Sequence, residues 1–240
     1  MSILSLYKLP ILLTETALVW RSYTPPALPT RSEEVKSTGP TKYVDRYVPV
    51  LAFLFKLNCA LSTVAETALI LASHVPDHPL SQTVLSALEL IPGGASHIQI
   101  TSEFLAGAAI AAGGAFLRIA CFRRMGKMFT FELALRDEHK LITDGPYGLV
   151  RHPSYTGLLL NMVGSAIVHF GTGSWFRECG WFGAVRGRRY MMLWFLFRIV
   201  EMTNLTLRTW KEDGMLREQF GDAWKKWARD TPYRLIPFVF

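Results

Sequence analysis

An all-α, polytopic transmembrane helical bundle of about five spans is the fold this sequence predicts, and three observations predict it. Half of the 240 residues are hydrophobic and only 19% are charged. Mean hydropathy is positive, at +0.21, outside the usual balance of a soluble domain of this size. Four stretches, Val48 to Val75, Phe104 to Phe122, Tyr155 to Phe170 and Tyr190 to Leu207, approach the roughly 20 apolar residues a helix needs to cross a bilayer.

Taken in order, Ile3 to Trp20 is a weaker fifth span, interrupted by Lys8, Pro10 and Glu15. It ends at Trp20-Arg21 without a small-residue cleavage site, so it is read as retained in the membrane, not as a signal peptide. Pro25 to Pro40, rich in Pro, Ser and Thr, reads as a solvated linker. The Phe104 to Phe122 stretch holds Gly107, Ala108, Ala111, Ala112 and Ala115, whose three- and four-residue spacing lets a second helix approach closely.

The net charge of +7 is distributed in clusters between the apolar stretches. It forms no basic stripe interleaved with aromatics, so it marks topology and predicts no nucleic-acid partner. Arg21 to Arg46 and Arg123 to Arg151 are basic, whereas His74 to Thr101 contains no Lys or Arg. The first two segments are therefore expected in the cytosol and the third outside it, with the basic segment from Arg208 onward also cytosolic. Arg177, Arg186, Arg188 and Arg189 conflict with a simple count of crossings, which leaves a re-entrant hairpin or a local failure of the rule.

Cys59, Cys121 and Cys179 form no CxxC pair, and no His is spaced to complete a zinc site, so neither disulfide nor metal is predicted. The six histidines cannot build the clustered boxes of a membrane desaturase, and no GxGxxG follows a strand.

Two blocks carry chemistry. In HKLITDGPYGLVRHPSYTG, from His139 to Gly157, Gly145-Pro146 and His152-Pro153 interrupt helix twice just before an apolar span. Irregular backbone at a membrane edge is tolerated where it is buried in protein or lines a polar cavity. The plainer alternative is a loop with an Arg-His pair among lipid headgroups. The second block, from Arg208 to Phe240, places Glu212 and Asp213 directly after the last span and follows them with Phe220-Gly221, Trp224 and Trp227. Its plainer reading is an amphipathic helix whose Lys225, Lys226 and Arg229 meet anionic headgroups. Arg118, in LRIACFRRMGKMFT, is either an inner cation or a snorkelling side chain at a helix end.

The string GPYxxxRHPxYxG, matched at eight fixed positions, resembles the signature of the isoprenylcysteine carboxyl methyltransferase family. The ending after Arg208 and, more loosely, the stretch around Arg118 resemble it too. The resemblance covers roughly residues 104 to 240 and divides the chain into amino-terminal spans and linker (1–101) and a methyltransferase-like membrane domain (102–240) with a cytosolic catalytic loop and C-terminal helix. This sequence departs from the family's pattern in a longer insertion, GTGSWFRECGWFGAVRGRR, in Asp213 where a second Glu is usual, and in a shortened segment before His139.

The resemblance implies S-adenosyl-L-methionine as cofactor and the carboxylate of a prenylated cysteine as acceptor, in CaaX-processed proteins or small prenylcysteines, at the endoplasmic reticulum membrane. It places the cofactor against His139, Lys140, Leu141, Ile142, Tyr147, His152, Pro153, Ser154 and Tyr155, with Glu212 accepting from its polar end. Arg208, aided by Arg118, would hold the substrate carboxylate, since a planar guanidinium can bind it with two parallel bonds. The spacing of Arg208 and Glu212 sets both on one helix face. A methyl on sulfonium is already activated and a carboxylate is already ionised near neutral pH, so positioning and desolvation are required and no strong base. A phosphatidylethanolamine-type N-methyltransferase is the nearest alternative, and a catalytically silent scaffold the more distant one. An amine acceptor needs a base or a depressed pKa, and the arginines favour the carboxylate.

Overall fold

The computed structural model describes residues 3–24, 26, 41–129 and 140–239; His139 lies outside these residues. Among them the structure is all-helical: α1 (Lys8–Ser22), α2 (Thr41–His74), α3 (Pro79–Leu88), α4 (Ser102–Met125), α5 (Pro153–Phe170), α6 (Trp175–Glu178), α7 (Val185–Phe220) and α8 (Asp222–Asp230). Two helices, Tyr47–His74 within α2 and Ser102–Met125, are long and apolar enough to cross a membrane. They leave large side chains such as Phe53, Leu61, Val64 and Phe116 exposed. A helix that turns such a surface outward suits a lipid environment.

The chain forms two compact units. One comprises Met1–Trp20, Phe55–Ala112 and Leu160–Arg198. Within it the small residues of α4 do what their spacing predicts. A Cβ on Gly164 of α5 would stand 2.3 Å from the Ala111 backbone nitrogen, and one on Gly107 would stand 2.7 Å from Ile167. Lys8 and Glu66 form a buried ion pair of 2.5 Å, and Lys8 also donates to Gly173 O at 2.7 Å. The Lys8 charge that weakened α1 as a span is therefore neutralised inside protein. The inserted segment packs here as well. Leu90 N donates to Cys179 O, Gln99 N donates to Gly173 O, and the indoles of Trp175 and Trp181 both donate to Leu88 O. These bonds seat the Arg177 segment beside the loop that lacks Lys and Arg.

The second unit comprises Arg21–Leu54, Gly113–Leu159 and Ile199–Phe240. Its core gathers Cys121, Tyr147 and Trp227 with Leu141, Ile142 and Trp224 around them. Gly221, at φ 51°, ends α7 in the left-handed region and lets α8 turn away.

Candidate functional site

Within the second unit the two blocks are brought together. A residue before proline is held out of the helical region, so α5 starts at Pro153, the position where a missing amide costs nothing. The His152 carbonyl accepts from Tyr155 N and Thr156 N. The backbone amides of Arg151 and His152 donate to Tyr233 O and Arg234 O, each at 2.9 Å, and Thr156 Oγ1 donates to Leu235 O. The C-terminal segment is thus fastened to the turn by main chain before any side chain is counted.

At the centre the His152 imidazole lies between two carboxylates, with Nδ1 3.2 Å from Glu212 Oε2 and Nε2 3.1 Å from Asp213 Oδ1. Two acceptors facing two ring nitrogens require both to donate, which only the imidazolium does. Burial lowers the affinity of His152 for its second proton, but the bonds to Asp213 and Glu212 and their charges outweigh it, and the pKa is raised above 6.5. Burial likewise pushes the Glu212 carboxyl up, yet the His152 bond, the Arg208 charge and the Tyr155 hydroxyl hold it at about 2. Against the same opposing burial, His152, Arg151 and Arg234 hold Asp213 below its ordinary 3.8.

Arg208 Nε donates to Glu212 Oε1 at 3.0 Å, as the four-residue spacing predicts, and the Tyr155 hydroxyl donates to the same oxygen. Glu212 thereby receives three protein donors. Asp213 is as central as Glu212: Arg151 and Arg234 reach its Oδ2 at 3.4 and 3.0 Å. In the sequence Asp213 reads as a departure from a pattern, Arg151 as a position of the string without a site role, and Arg234 carries no signal. The basic residue before His-Pro was the available signal.

The remaining residues are placed as follows. Arg118 is buried, donating from Nε to Ser22 O at 2.6 Å and from Nη1 to the Ser154 carbonyl and hydroxyl. It stacks over Phe122 and Phe129 and does not snorkel. The Ser154 hydroxyl accepts from Arg118. Tyr147 donates to Met125 Sδ while its carbonyl accepts from the Trp227 indole at 3.1 Å. Leu141 and Ile142 pack against that cluster, and Lys140 is exposed. Two buried donors, Arg151 Nε and Trp224 Nε1, have no acceptor among the described residues, and the guanidinium lies 5.9 Å from the Trp224 ring. An anionic group with oxygen acceptors, such as the carboxylate of an amino-acid-bearing cofactor, fits that donor set.

The ionised trio has a pH signature. The His152 contribution to stability is complete below the unfolded value near 6.5 and is lost as pH rises through its higher folded value. The Glu212 and Asp213 contributions are complete above their unfolded values of 4.5 and 3.8 and are lost as pH falls toward the folded values. Thermal unfolding in detergent should therefore show greatest stability on a plateau from about pH 4.5 to 6.5. His152→Gln should remove the decline on the alkaline side, and an unchanged alkaline limb would refute the charged imidazole.

Fold and site together define a helical protein with two candidate membrane spans and a buried, ion-paired polar centre assembled from a proline-broken turn and a long C-terminal helix. Residues 107–175 match the family model described as "Isoprenylcysteine carboxyl methyltransferase (ICMT) family". The chain is 29% identical over 128 residues to protein-S-isoprenylcysteine O-methyltransferase B of Arabidopsis thaliana, covering 52% of this chain and 55% of that protein. A 45-residue stretch is 44% identical to a "probable protein-S-isoprenylcysteine O-methyltransferase" of Oryza sativa subsp. indica, covering 18% of this chain and 24% of that one. The chain is also 26% identical over 101 residues to the Delta(14)-sterol reductase TM7SF2 of Mus musculus, covering 42% of this chain and 20% of that protein. The chain thus spans about half the length of the Arabidopsis relative, and a quarter or less of the other two.

Proposed function

We propose that this chain transfers a methyl group from S-adenosyl-L-methionine to the C-terminal carboxylate of a prenylated cysteine. The observation that carries the reading is the convergence of Tyr155, His152 and Arg208 on Glu212, which joins the two blocks that resemble the family. The cofactor supplies a methyl group already activated on sulfonium. The protein holds and orients: Arg151 and Trp224 offer donors to the cofactor's anionic end, Glu212 an acceptor to its ammonium, and Arg208 a cation to the acceptor carboxylate. The prenyl tail would enter laterally from lipid. The sterol reductase match means that part of this sequence resembles a protein named for different chemistry, so the acceptor has to be decided by assay.

The test is a membrane-fraction assay with labelled S-adenosyl-L-methionine, comparing a prenylcysteine, its decarboxylated analogue and phosphatidylethanolamine. Base-labile label on the prenylcysteine alone is the expected result. Base-stable label on the phospholipid alone would transfer the function to N-methylation, and no transfer to any of the three would support a silent scaffold.

The proposed topology has α1, α2, α4, α5 and α7 as about five spans in the endoplasmic reticulum, with residues 140–154 and 208–239 cytosolic. Because the Arg177 segment is bonded to the 88–99 loop, both are assigned to the opposite side, and the positive-inside rule fails there. In sealed microsomes with the cytosolic face outward, cysteines introduced at Lys140 and Lys225 should react with an impermeant reagent directly. Those at Asp77 and Arg177 should need permeabilisation. Direct reaction at Arg177 would overturn the assignment.

A further inference from the structure

A second polar cluster lies inside the first unit. Glu15 of α1, Cys59 of α2 and His169 of α5 are all buried, at 4%, 1% and 6% exposure, and their ligand-type atoms lie within 4.8 Å of one another. Among the described residues, Glu15 Oε2 and both ring nitrogens of His169 have no hydrogen-bond partner. Leaving such groups unmatched in an apolar interior is costly, so their convergence asks for something that satisfies them together.

The contacts argue against direct pairing. His169 Nε2 stands 3.7 Å from Glu15 Oε2, too long for a hydrogen bond. It matches the edge of a coordination tetrahedron, roughly 3.3–3.8 Å for metal–ligand lengths of 2.0–2.3 Å. The other Glu15 oxygen accepts from Ser165 Oγ at 2.5 Å. Ser165 is one turn before His169 on the same face of α5, and its bond fixes the carboxylate with Oε2 turned toward the imidazole. That is how outer partners orient a metal-binding carboxylate.

We propose that Glu15 Oε2, Cys59 Sγ and His169 Nε2 bind one zinc ion that ties α1, α2 and α5 together. A soft thiolate, an imidazole and a carboxylate form a donor set that suits zinc. Thiolate and carboxylate together cancel the two positive charges, so the filled site is neutral and can stay buried. Binding displaces the thiol proton to solvent. Drawing the widest ligand pair into the tetrahedron takes a shift of about 1 Å. In lipid, where apolar surface gives helices little reason to associate, such a bond supplies cohesion that packing alone does not. Sequence spacing does not disclose the site, because its ligands come one from each of three helices far apart in the chain.

The test uses the full chain purified in detergent without a polyhistidine tag. Elemental analysis should find about one zinc per chain, falling at least tenfold in Cys59→Ser and His169→Gln and unchanged in Cys179→Ser. Cobalt added to the metal-stripped protein should give a thiolate-to-cobalt absorption band that Cys59→Ser abolishes while helical circular dichroism is retained. Absence of both zinc and the cobalt band in the unmodified protein would overturn the proposal without recourse to any variant. A band that persists in Cys59→Ser would overturn it too.

Discussion

Replacing Asp213 by alanine is expected to destabilise the protein by about 3 kcal/mol or more, read as a fall of several degrees in the thermal unfolding midpoint in detergent. Asp213 is nearly fully buried and faces three basic side chains, His152, Arg151 and Arg234. Attraction across a buried pair does little more than offset the desolvation of its members, but deleting one member leaves the others desolvated and uncompensated. Here one deletion strands an imidazolium whose second proton Asp213 helps to hold, together with the half-buried Arg234 and the more enclosed Arg151. Asp144 is the control. Its pair with Arg124 is half exposed on both sides, where solvent and salt screen it, so Asp144→Ala should leave the midpoint unchanged. Equal effects of the two substitutions would mean that the Asp213 network does not organise the fold.

That network also shows where the sequence ran out. The eight-position string placed the proline-broken turn, and the four-residue step from Arg208 to Glu212 placed an ion pair on one helix face. Both are local, and local spacing is what a chain displays. Asp213 acts on His152 across 61 residues and on Arg234 across 21, and no periodicity connects them. Among the described residues, length and apolarity support fewer spans than the five read in the sequence. Two helices pass on length and composition, whereas α1 carries Lys8 and Glu15 and α7 runs on past its apolar portion to Phe220. A charge inside a span looks disqualifying until its partner is known, and Lys8 finds Glu66 only in three dimensions. Arg118 reads in sequence as either an inner cation or a snorkelling helix-end side chain, and folding turns it inward onto Ser22 and Ser154.

Under the proposed function, Arg208 and Glu212 should separate by ligand although they are bonded to each other. Glu212→Gln preserves shape but removes a carboxylate that three protein donors hold ionised. Cofactor binding should weaken by the roughly 1.5–3 kcal/mol of a charge-assisted bond, about ten- to a hundredfold. Arg208→Lys retains the charge and loses the planar fork that a carboxylate can meet with two bonds. Affinity for the cofactor should survive, because Tyr155 and His152 still orient Glu212. Turnover of the prenylcysteine should fall about a hundredfold, near 2.7 kcal/mol in transition-state terms. Titration calorimetry with S-adenosylhomocysteine, beside turnover measurements, separates the two, and the unfolding midpoint of each variant reports whether the shared ion pair is also needed for folding. Should Arg208→Lys abolish cofactor binding while Glu212→Gln leaves it untouched, the roles are exchanged: the guanidinium holds the cofactor's carboxylate, and the acceptor must be sought on the other side of His152.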